Sequence, residues 1–204
     1  MEIVNKRIVI TGGTSGIGYQ LVKQLHRSNK LIVVARSKLK LHALQQEFSN
    51  IYPLEADLAN LADVENIGKQ IKSEFPKIDL LINNAAVQHT AYFTDEYFDY
   101  KSIAREVNTN FTSICCLISL LLPCLKHQEN AVILNVNSGL AFAPKTSSAV
   151  YCATKSALKS FSTSLAYQLT GSNVSVQQVF LPLVETQMTK GREGKKLQAE
   201  DVAQ

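Results

Sequence analysis

A tyrosine and a lysine four residues apart, Tyr151 and Lys155 in the stretch YCATK, are the side chains that first suggest chemistry. Residues at positions i and i+4 share one face of a helix, so a phenol and an ammonium would be neighbours there. A free phenol has a pKa near ~10, and a nearby positive charge favours the phenolate and lowers that pKa. The pair is therefore a candidate acid–base catalyst, although the same spacing arises by chance in many helices.

Two alternating hydrophobic patterns define the elements that would position this pair. Short runs rich in Val and Ile predict strands buried on both faces, at residues 7–11, 31–35, 51–56, 78–84, 131–137 and 174–180. Longer stretches between them predict helices, at residues 16–28, 39–48, 61–75, 100–126 and 148–170. Strands that alternate with helices of this length indicate right-handed crossovers. The sequence therefore predicts an α/β fold over residues 1–204, a single Rossmann-type doubly wound parallel sheet with helices on both faces.

A glycine-rich loop follows the first predicted strand and opens the first predicted helix. It reads TGGTSGIG, in which Gly12, Gly16 and Gly18 fit the pattern T-G-x-x-x-G-x-G. Glycines there allow a sharp turn and let the backbone approach a pyrophosphate, which the free amides and the positive end of the helix dipole would bind. A tight turn without a ligand is the alternative. The position between a strand and an amphipathic helix favours a dinucleotide site.

The end of the second predicted strand bears on which dinucleotide would bind. Dinucleotide-binding folds often carry an acidic residue there for the adenosine ribose hydroxyls, but this sequence has Ala35 and Arg36 instead. A guanidinium can bind a 2′-phosphate through paired hydrogen bonds, whereas a carboxylate would repel it. We therefore expect NADP(H) to be preferred over NAD(H), with a solvated surface charge as the alternative role of Arg36.

An aspartate, Asp57, follows the third predicted strand in the stretch LEADLAN. Its position fits a contact with the edge of an adenine ring. A carboxylate at the start of a helix also fits an N-cap, where it would accept a backbone N–H. Both roles stay open at this point.

The composition is that of an ordinary globular protein, with 46% hydrophobic and 19% charged residues among 204. The net charge of +4 is scattered except in KGREGKK at 190–196, so nothing indicates a nucleic-acid partner. The longest apolar run, ICCLISLLLPCL, is broken by Pro123 and is shorter than a membrane span, and the N-terminus lacks a signal-peptide layout. Cysteine spacing suits neither a zinc site nor a disulfide framework. These features predict a cytoplasmic protein with reduced cysteines, no metal and no membrane partner.

Taken together and in order, the motifs resemble those of the short-chain dehydrogenase/reductase family of the Tyr-x-x-x-Lys type. The resemblance covers nearly the whole chain. TGGTSGIG resembles the family's cofactor loop, NNAA at 83–86 resembles the segment after its fourth strand, and EVNTNFTSI carries Asn110 at its helix position. Ser138, in ILNVNSGLAF, lies 13 residues before Tyr151, which is the family's usual spacing. The ordered set is far more specific than any single motif.

The resemblance implies a role for each matching residue. The resemblance implies that Tyr151 exchanges a proton with the substrate oxygen and that Ser138 hydrogen-bonds that oxygen. It also implies that Lys155 assists Tyr151 and binds the nicotinamide ribose, and that Asn110 holds a water. The cofactor supplies the hydride. Ordinary hydrogen bonding at a helix or strand end is the alternative for Asn110 and Ser138. The implied cofactor contacts are Gly12, Thr14, Ser15, Gly16, Ile17, Gly18, Arg36, Asp57, Leu58, Asn84, Ala85, Tyr151, Lys155, Val184 and Thr186.

The sequence departs from the family pattern in two places. Ala86 stands where the family has glycine after the fourth strand. After the sixth strand, LPLVET puts Leu181 and Pro182 at the family's Pro-Gly positions, while Val184 and Thr186 match. The Val184 backbone is expected at the nicotinamide amide, and Thr186 at the same amide or at a phosphate. This variant is similar to a branch of small bacterial oxidoreductases found in D-alanylation operons.

The last predicted feature is LQAEDVAQ at 197–204, which looks like the start of a helix. Most family members continue through that helix and a seventh strand. We therefore expect this domain to lack the usual C-terminal helix and last strand, which normally close the sheet edge and help to shape the substrate pocket.

The substrate pocket and the subunit interface are expected in loops and on two helices. Residues 88–100 and 186–194 should flank the pocket, and four aromatic residues either line it or pack the following helix: Tyr92, Phe93, Tyr97 and Phe98. Family members commonly pair helices 100–126 and 148–170 with their twins, which predicts a homodimer with isologous contacts. The alternative is that the apolar residues of these helices face their own sheet: Leu117, Leu120, Leu121, Leu158, Phe161 and Leu165.

Three functions are consistent with these features. The first is an NADP(H)-dependent oxidoreductase that interconverts a carbonyl and an alcohol, with a small-molecule substrate. The second is a catalytically weak NADP(H)-binding sensor or interaction protein, and the third is nucleic-acid binding, which only the net charge supports. The full set of Asn110, Ser138, Tyr151 and Lys155 favours the first, because a protein that only binds the cofactor does not need all four.

Overall fold

The computed structural model describes residues 3–204, so the first two residues of the predicted domain and of the N-terminal stretch lie outside the described residues. Strands and helices alternate along that range as predicted. The elements that build the main body are β1 (Arg7–Thr11), α1 (Gly16–Leu25), β2 (Lys30–Ala35), α2 (Lys38–Glu47), β3 (Ile51–Glu55), α3 (Leu61–Glu74), β4 (Leu80–Asn83), α4 (Lys101–Val107), α5 (Ser113–Lys126), β5 (Ala131–Ser138), α6 (Ala149–Gln168) and β6 (Val174–Leu181).

Six strands form one parallel sheet in the order β3-β2-β1-β4-β5-β6, which confirms the Rossmann-type doubly wound arrangement. The central strand β1 pairs with β2 on one side and with β4 on the other, so that Val9 lies between Ile32 and Leu81. The strand order reverses between β1 and β4. Ligands of such sheets bind in the crevice that opens beyond the carboxyl ends of the strands at this reversal.

Alternating residues of the strands send their side chains into two hydrophobic cores. In β1, Val9 belongs to the core that α3, α5 and α6 cover. Its neighbours Ile8 and Ile10 belong to the core on the opposite face, which α1 and α2 cover through residues such as Val22 and Leu41. Both faces of the central strands are therefore buried, which explains why they are continuous apolar runs in the sequence.

The predicted helix 100–126 is present, but it is not regular. A π-helical turn, Asn108–Thr112, joins α4 to α5 and contains Asn110. Pro123 lies inside α5 and does not end it, consistent with the helix predicted over residues 100–126. As a result, the run Lys101–Lys126 is long and apolar enough, by length and composition, to cross a membrane. Its buried face packs against α3 and β5, as a core helix does.

The segment after β6 builds a small second layer beside the sheet. β7 (Val184–Glu185) pairs in parallel with β8 (Leu197–Gln198), and a short helix, α7 (Ala199–Val202), follows. The helix predicted from residue 197 therefore begins two residues later, after a strand that the sequence reading missed. Lys23 of α1 binds Glu200 at 3.1 Å, so α7 rests against the first helix of the main body.

The apolar residues expected at a subunit interface lie mostly inside the chain's own core. Leu117, Leu121, Leu158 and Leu165 are buried against the sheet. These four residues thus face their own sheet, which was the alternative to a place at a subunit interface. Leu120 is half-buried and packs against Gly68 of α3, where an added Cβ would lie 2.5 Å from the Cδ1 atom of Leu120.

Candidate active site

The glycine loop between β1 and α1 adopts a conformation that glycine makes possible. Gly12 and Gly16 have φ angles of +71° and +53°, in the left-handed region that other residues rarely adopt. A Cβ at Gly12 would lie 2.9 Å from the Cα of Ala85, and a Cβ at Gly18 would lie 2.2 Å from the carbonyl oxygen of Gly12. The loop is therefore a compact turn packed against Ala85 and against itself, and both Gly12 and Gly16 line the cavity.

The segment after β4 holds this loop in place. The Thr11 hydroxyl accepts hydrogen bonds from the backbone N–H groups of Asn84 and Ala85 at 3.0 and 3.1 Å. The Asn84 side chain donates to the carbonyl of Thr11 at 3.0 Å and to that of Gly12 at 3.4 Å. The NNAA motif thus ties the ends of β1 and β4 together, and the side-chain Nδ2 of Asn84 holds the glycine loop.

The first turn of α1 presents unpaired backbone amides at the crevice. Ser15 is its N-cap residue, and the Ser15 side chain makes no capping hydrogen bond. The first four N–H groups of a helix have no partner within the helix. Thr186, after β7, lies over this turn, because a Cβ at Gly16 would come within 3.1 Å of its Cγ2. This arrangement is suited to an anionic ligand such as a pyrophosphate.

One cavity of about 750 Å³ runs along the carboxyl ends of the strands and collects nearly all of the predicted site residues. A volume of this size lies within the range of ligand pockets. Gly18 and Asn110 are the predicted residues that do not line it. Those that do are Gly12, Thr14, Ser15, Gly16, Ile17, Arg36, Asp57, Leu58, Asn84, Ala85, Ser138, Tyr151, Lys155, Val184 and Thr186.

At one end of the cavity lie Arg36 and Asp57. Arg36 is exposed, follows the last residue of β2, and forms no salt bridge within residues 3–204. Asp57 is half-buried, and its carboxylate accepts hydrogen bonds from the N–H of Ala59 at 3.1 Å and from Arg105 at 3.0 Å. The N-cap of α3 is Asn60, so that alternative for Asp57 is wrong. Asp57 instead closes a turn and pairs with Arg105.

At the other end lie Tyr151 and Lys155, one helical turn apart on α6. Lys155 is buried, with 3% of its surface exposed, and its Nζ donates to the carbonyl of Val136 at 2.8 Å. The same Nζ lies 5.7 Å from the centre of the Tyr151 ring. Ser138, at the end of β5, also lines the cavity, and its Oγ accepts the N–H of Leu140 at 3.2 Å. The three side chains that the sequence suggested for acid–base chemistry thus share one wall.

Burial, rather than the charge of the lysine, governs the protonation of this pair. Burial raises the pKa of the Tyr151 phenol to about 12, an effect that the neighbouring Ser138 hydroxyl and the Arg192 charge only partly offset. Burial lowers the pKa of the Lys155 ammonium to about 8. The expectation that Lys155 lowers the pKa of Tyr151 is therefore wrong for the protein by itself. In this state Tyr151 is a protonated phenol, a form that donates a proton.

Asn110 lies behind the cavity wall and joins the segment after β4 to α6. Its Oδ1 accepts the N–H of Val87 at 2.8 Å, and its Nδ2 donates to the carbonyl of Val87 at 2.8 Å and to Thr154 Oγ1 at 3.3 Å. The side chain is fully buried, and both of its amide hydrogens are used. The side chain of Asn110 thus fixes the position of Val87 and Thr154, and the water that the resemblance implies stays a prediction.

Comparison with known proteins identifies the family. A family model described as short chain dehydrogenase matches residues 6–196 of the chain. The chain belongs to the short-chain dehydrogenase family. It is 37% identical over 190 residues to the uncharacterized oxidoreductase DltE of Bacillus subtilis (strain 168), covering 91% of this chain and 74% of that protein. This relative bears out the resemblance to small bacterial oxidoreductases of the D-alanylation branch.

Solved structures of other short-chain dehydrogenases superpose closely on this chain. One is the 3-ketoacyl-(acyl-carrier-protein) reductase from Brucella melitensis complexed with NADH, with a TM-score of 0.89, 27% identity, and coverage of 99% of this chain and 89% of that one. Another is a short-chain dehydrogenase from Sphingobium yanoikuyae in complex with NADPH, with a TM-score of 0.89, 26% identity, and coverage of 97% and 81%. This short-chain dehydrogenase is accordingly an oxidoreductase that uses a nicotinamide coenzyme.

The residues present in this short-chain dehydrogenase fit such a coenzyme. Because they lack side chains, Gly12 and Gly18 let the loop pack closely against Ala85 and against itself, and the unpaired amides at the start of α1 line the cavity. Arg36 and the glycine loop would hold the adenosine and phosphate groups. Tyr151 and Lys155 would hold the ribose of the nicotinamide half.

Several residues of the site were not found from the sequence of this short-chain dehydrogenase. The expected flanking loops do contribute Gln88, Arg192 and Glu193 to the cavity, but Lys145 lies in a segment that no motif marked. The four aromatic residues expected to line the pocket are not part of this lining in the described chain. Phe93 and Phe98 stack on each other with ring centres 4.5 Å apart, and Tyr97 is 88% exposed.

A buried polar chain beneath the site was also missed. Asn83 donates to Asn135 Oδ1 at 2.8 Å, Asn135 donates to Ser162 Oγ at 2.8 Å, and Ser162 donates to the carbonyl of Leu158 at 2.7 Å. These bonds link β4, β5 and α6 just below the cavity. They fix the helix that carries Tyr151 relative to the sheet, because a buried polar group is costly to leave unpaired.

Proposed function

We propose that this protein interconverts a carbonyl compound and an alcohol with NADP(H), and that Tyr151 is the acid–base catalyst. The observation that carries the proposal is the shared cavity: the glycine loop lines one end of it, and Ser138, Tyr151 and Lys155 line the other. A coenzyme long enough to reach from the first group to the second would bring its reactive ring to the phenol.

In the reductive direction, Tyr151 supplies the proton. Its pKa of about 12 keeps the phenol protonated at neutral pH, so it can donate to a carbonyl oxygen as that oxygen gains negative charge. The bound coenzyme would supply the hydride. Ser138 Oγ already accepts the N–H of Leu140, which leaves its own hydrogen to be donated to the same oxygen.

Lys155 has a different part in this proposal. Its ammonium is buried with one backbone carbonyl, from Val136, as its hydrogen-bond partner within the described residues. Two of its three hydrogens are therefore available for ribose hydroxyls. Such contacts would offset the burial that lowers its pKa, and the lysine would then favour the phenolate of Tyr151 when an alcohol is oxidised.

The preference for NADP(H) rests on Arg36. The guanidinium stands at the cavity end formed by β2, and no carboxylate of the described chain neutralises it by a salt bridge. A 2′-phosphate would be its natural counterion, and paired hydrogen bonds would fix it.

The assembly and location are proposals as well. We propose a homodimer that pairs the outward faces of the helical run 101–126 and of α6. There Phe111, in the π-helical turn, and Phe161, in α6, meet edge to face with ring centres 6.0 Å apart and remain half-buried. Sedimentation should then show a dimer at micromolar concentration, and a monomer alone would refute this assembly. We further propose a cytoplasmic location, without a nucleic-acid or membrane partner.

Two measurements test the proposed function. A fluorescence titration should show NADPH binding at one site per chain and tighter than NADH. NADPH consumption with a panel of aldehydes and ketones should show turnover, with alcohol as product. Binding without turnover of any compound would favour a sensor or interaction protein, and absence of binding would refute the proposal altogether.

A further inference from the structure

Two cationic side chains that the proposed chemistry does not use face the same cavity as Tyr151. They are Lys145, in the segment between β5 and α6, and Arg192, in the segment between β7 and β8. Both are half-buried, and neither forms a salt bridge in the described part of the chain. Two uncompensated cations that converge on one pocket repel each other, and an anion between them would relieve that repulsion.

Arg192 is held in place, but most of its donors remain free. One NH1 hydrogen is donated to Oε1 of Gln88, which lines the cavity as well. A guanidinium has five N–H donors in a planar fork, so the others can bind a planar anion with two oxygens. The bond to Gln88 joins two separate segments around the pocket and orients the fork.

Gln88 itself contributes an unsatisfied donor. Its Nε2 is buried and has no hydrogen-bond partner, although a buried polar group normally has one. The cavity wall near Tyr151 thus combines a guanidinium, an ammonium and an unpaired amide. Two carboxylates also line the cavity: Asp57, which pairs with Arg105 at the Arg36 end, and Glu193, which is exposed and can point to water.

The electrostatic effects of these groups agree with their proximity to the site. Arg192 lowers the pKa of the Lys145 ammonium, after the larger effect of burial, and Arg192 also lowers the pKa of Tyr151. The positive field of Arg192 therefore reaches both the second cation and the phenol.

We propose that the substrate carries a carboxylate, which Arg192, Lys145 and Gln88 bind while Tyr151 acts on a carbonyl or hydroxyl group of the same molecule. The substrate class is thus an oxo acid and the corresponding hydroxy acid. This inference rests on the proposed function, since it names the substrate of that same site. The step itself is unchanged: the carbonyl carbon would take a hydride from bound NADPH, and Tyr151 donates its proton to the oxygen and recovers a proton from solvent. The products would be NADP⁺ and the hydroxy acid.

Matched pairs of substrates test the proposal by turnover. Acetoacetate is compared with ethyl acetoacetate, and 4-carboxybenzaldehyde with its methyl ester, at pH 7 and saturating NADPH. The acid should have a higher kcat/KM than its ester in at least one pair, by roughly tenfold to a hundredfold, as expected for charge-assisted hydrogen bonds. Dihydroxyacetone phosphate against dihydroxyacetone separates a phosphate from a carboxylate, and a preference for the phosphate alone would overturn the carboxylate assignment.

Variants then assign the effect to the pocket. Arg192→Gln should remove roughly tenfold or more of the kcat/KM for the preferred acid, while the ester changes by less than about threefold. Lys145→Gln should act in the same direction. The control is Lys195→Gln, which removes an equal charge from the same loop at an exposed position outside the cavity lining, and which should leave both substrates unchanged.

A binding measurement makes the outcome independent of turnover. Calorimetry with the NADP⁺ complex of Tyr151→Phe should show tighter binding of 4-carboxybenzaldehyde or acetoacetate than of the corresponding ester, and Arg192→Gln should remove that difference. Equal affinity of acid and ester, or no binding of either, overturns the carboxylate proposal. In that case neutral carbonyl compounds that are still reduced with NADPH would leave the proposed function standing.

Discussion

The two ends of the cavity are built in opposite ways. At the glycine-loop end, the binding surface is backbone: turns that require Gly12 and Gly16, and the amides at the start of α1. At the other end, the surface consists of side chains held by burial, with Tyr151 and Lys155 both under 10% exposed. The first end offers shape and a partial positive charge, and the second offers groups whose protonation depends on what surrounds them.

This difference explains what each end tolerates. The glycine-loop end depends on glycines that have no side chain, so an added methyl group would clash with neighbouring atoms and should damage this end. The Tyr151 end depends on groups whose charge is costly to bury, so removing one of them should cost activity and spare the fold. The predictions below test this contrast, beginning with the largest effect.

Replacing the phenol should damage turnover far more than coenzyme binding. Tyr151→Phe removes the hydroxyl that donates the proton, and NADPH-dependent reduction should fall by about 10²–10⁴-fold. The dissociation constant for NADPH, measured by fluorescence, should rise by less than about tenfold, because only one hydrogen bond to the ribose is lost. Unchanged turnover would show that another group transfers the proton.

A methyl group in the glycine loop should damage the fold and the coenzyme site together. In Gly18→Ala the new Cβ would lie 2.2 Å from the Gly12 carbonyl oxygen and 2.6 Å from Asn84 Nδ2, so the loop must move. We expect a loss of about 3 kcal/mol in the free energy of unfolding, together with loss of NADPH binding. The control is Gly139→Ala, whose Cβ would meet nothing closer than 3.9 Å. Equal unfolding midpoints for the two variants would contradict the close packing.

Reversing the charge of Arg36 should change the coenzyme preference. In Arg36→Asp the ratio of kcat/KM for NADPH to that for NADH should drop by about 10–100-fold, because a carboxylate repels a 2′-phosphate and accepts hydrogen bonds from ribose hydroxyls. Lys40→Asp, at an exposed position within α2, is the matched control for charge. If NADPH affinity survives the change at Arg36, this residue does not bind the 2′-phosphate.

Removing the buried ammonium should reveal a pH-dependent stability. The pKa of Lys155 falls from 10.5 to about 8 on folding, so between these values the unfolded chain binds a proton that the folded chain does not. The contribution of Lys155 therefore disfavours folding most below pH 8, and this penalty disappears as the pH rises toward 10.5.

Lys155→Met should accordingly be more stable than the parent at pH 7, and its advantage should shrink by about 1–3 kcal/mol between pH 7.5 and 10. The opposing loss of the bond to Val136 costs about 1 kcal/mol at every pH. Urea unfolding at several pH values measures the difference, and Lys159→Met, one turn further along α6, is the control. A pH-independent difference between parent and Lys155→Met would contradict the depressed pKa.

The sequence predicts the glycine-loop end better than the Tyr151 end for a physical reason. Backbone geometry leaves a local mark, since a left-handed turn between a strand and a helix requires glycines at fixed spacing, and Gly12 and Gly16 were found in this way. The alternating strands and the parallel sheet follow from periodicity that is equally local.

Protonation, by contrast, depends on burial that only the tertiary structure supplies. The spacing of Tyr151 and Lys155 correctly indicated one shared wall, but the predicted direction of the tyrosine's pKa shift was wrong, because burial is the largest effect on the pKa of each group. The loop that carries Arg192 was expected at the pocket, but Lys145 was missed and the approach of the two cations was not predicted, because residues far apart in the chain meet only across the cavity. Asn110 was found by its motif, yet its partners Val87 and Thr154 depend on the packing of α6.

A crystal structure of the protein with NADP⁺ tests the central claim most directly. The account predicts the adenosine 2′-phosphate at Arg36, the pyrophosphate over the glycine loop, and the nicotinamide ribose within hydrogen-bonding distance of Tyr151 and Lys155. A dinucleotide bound elsewhere, or one whose nicotinamide half lies away from these two side chains, would contradict it.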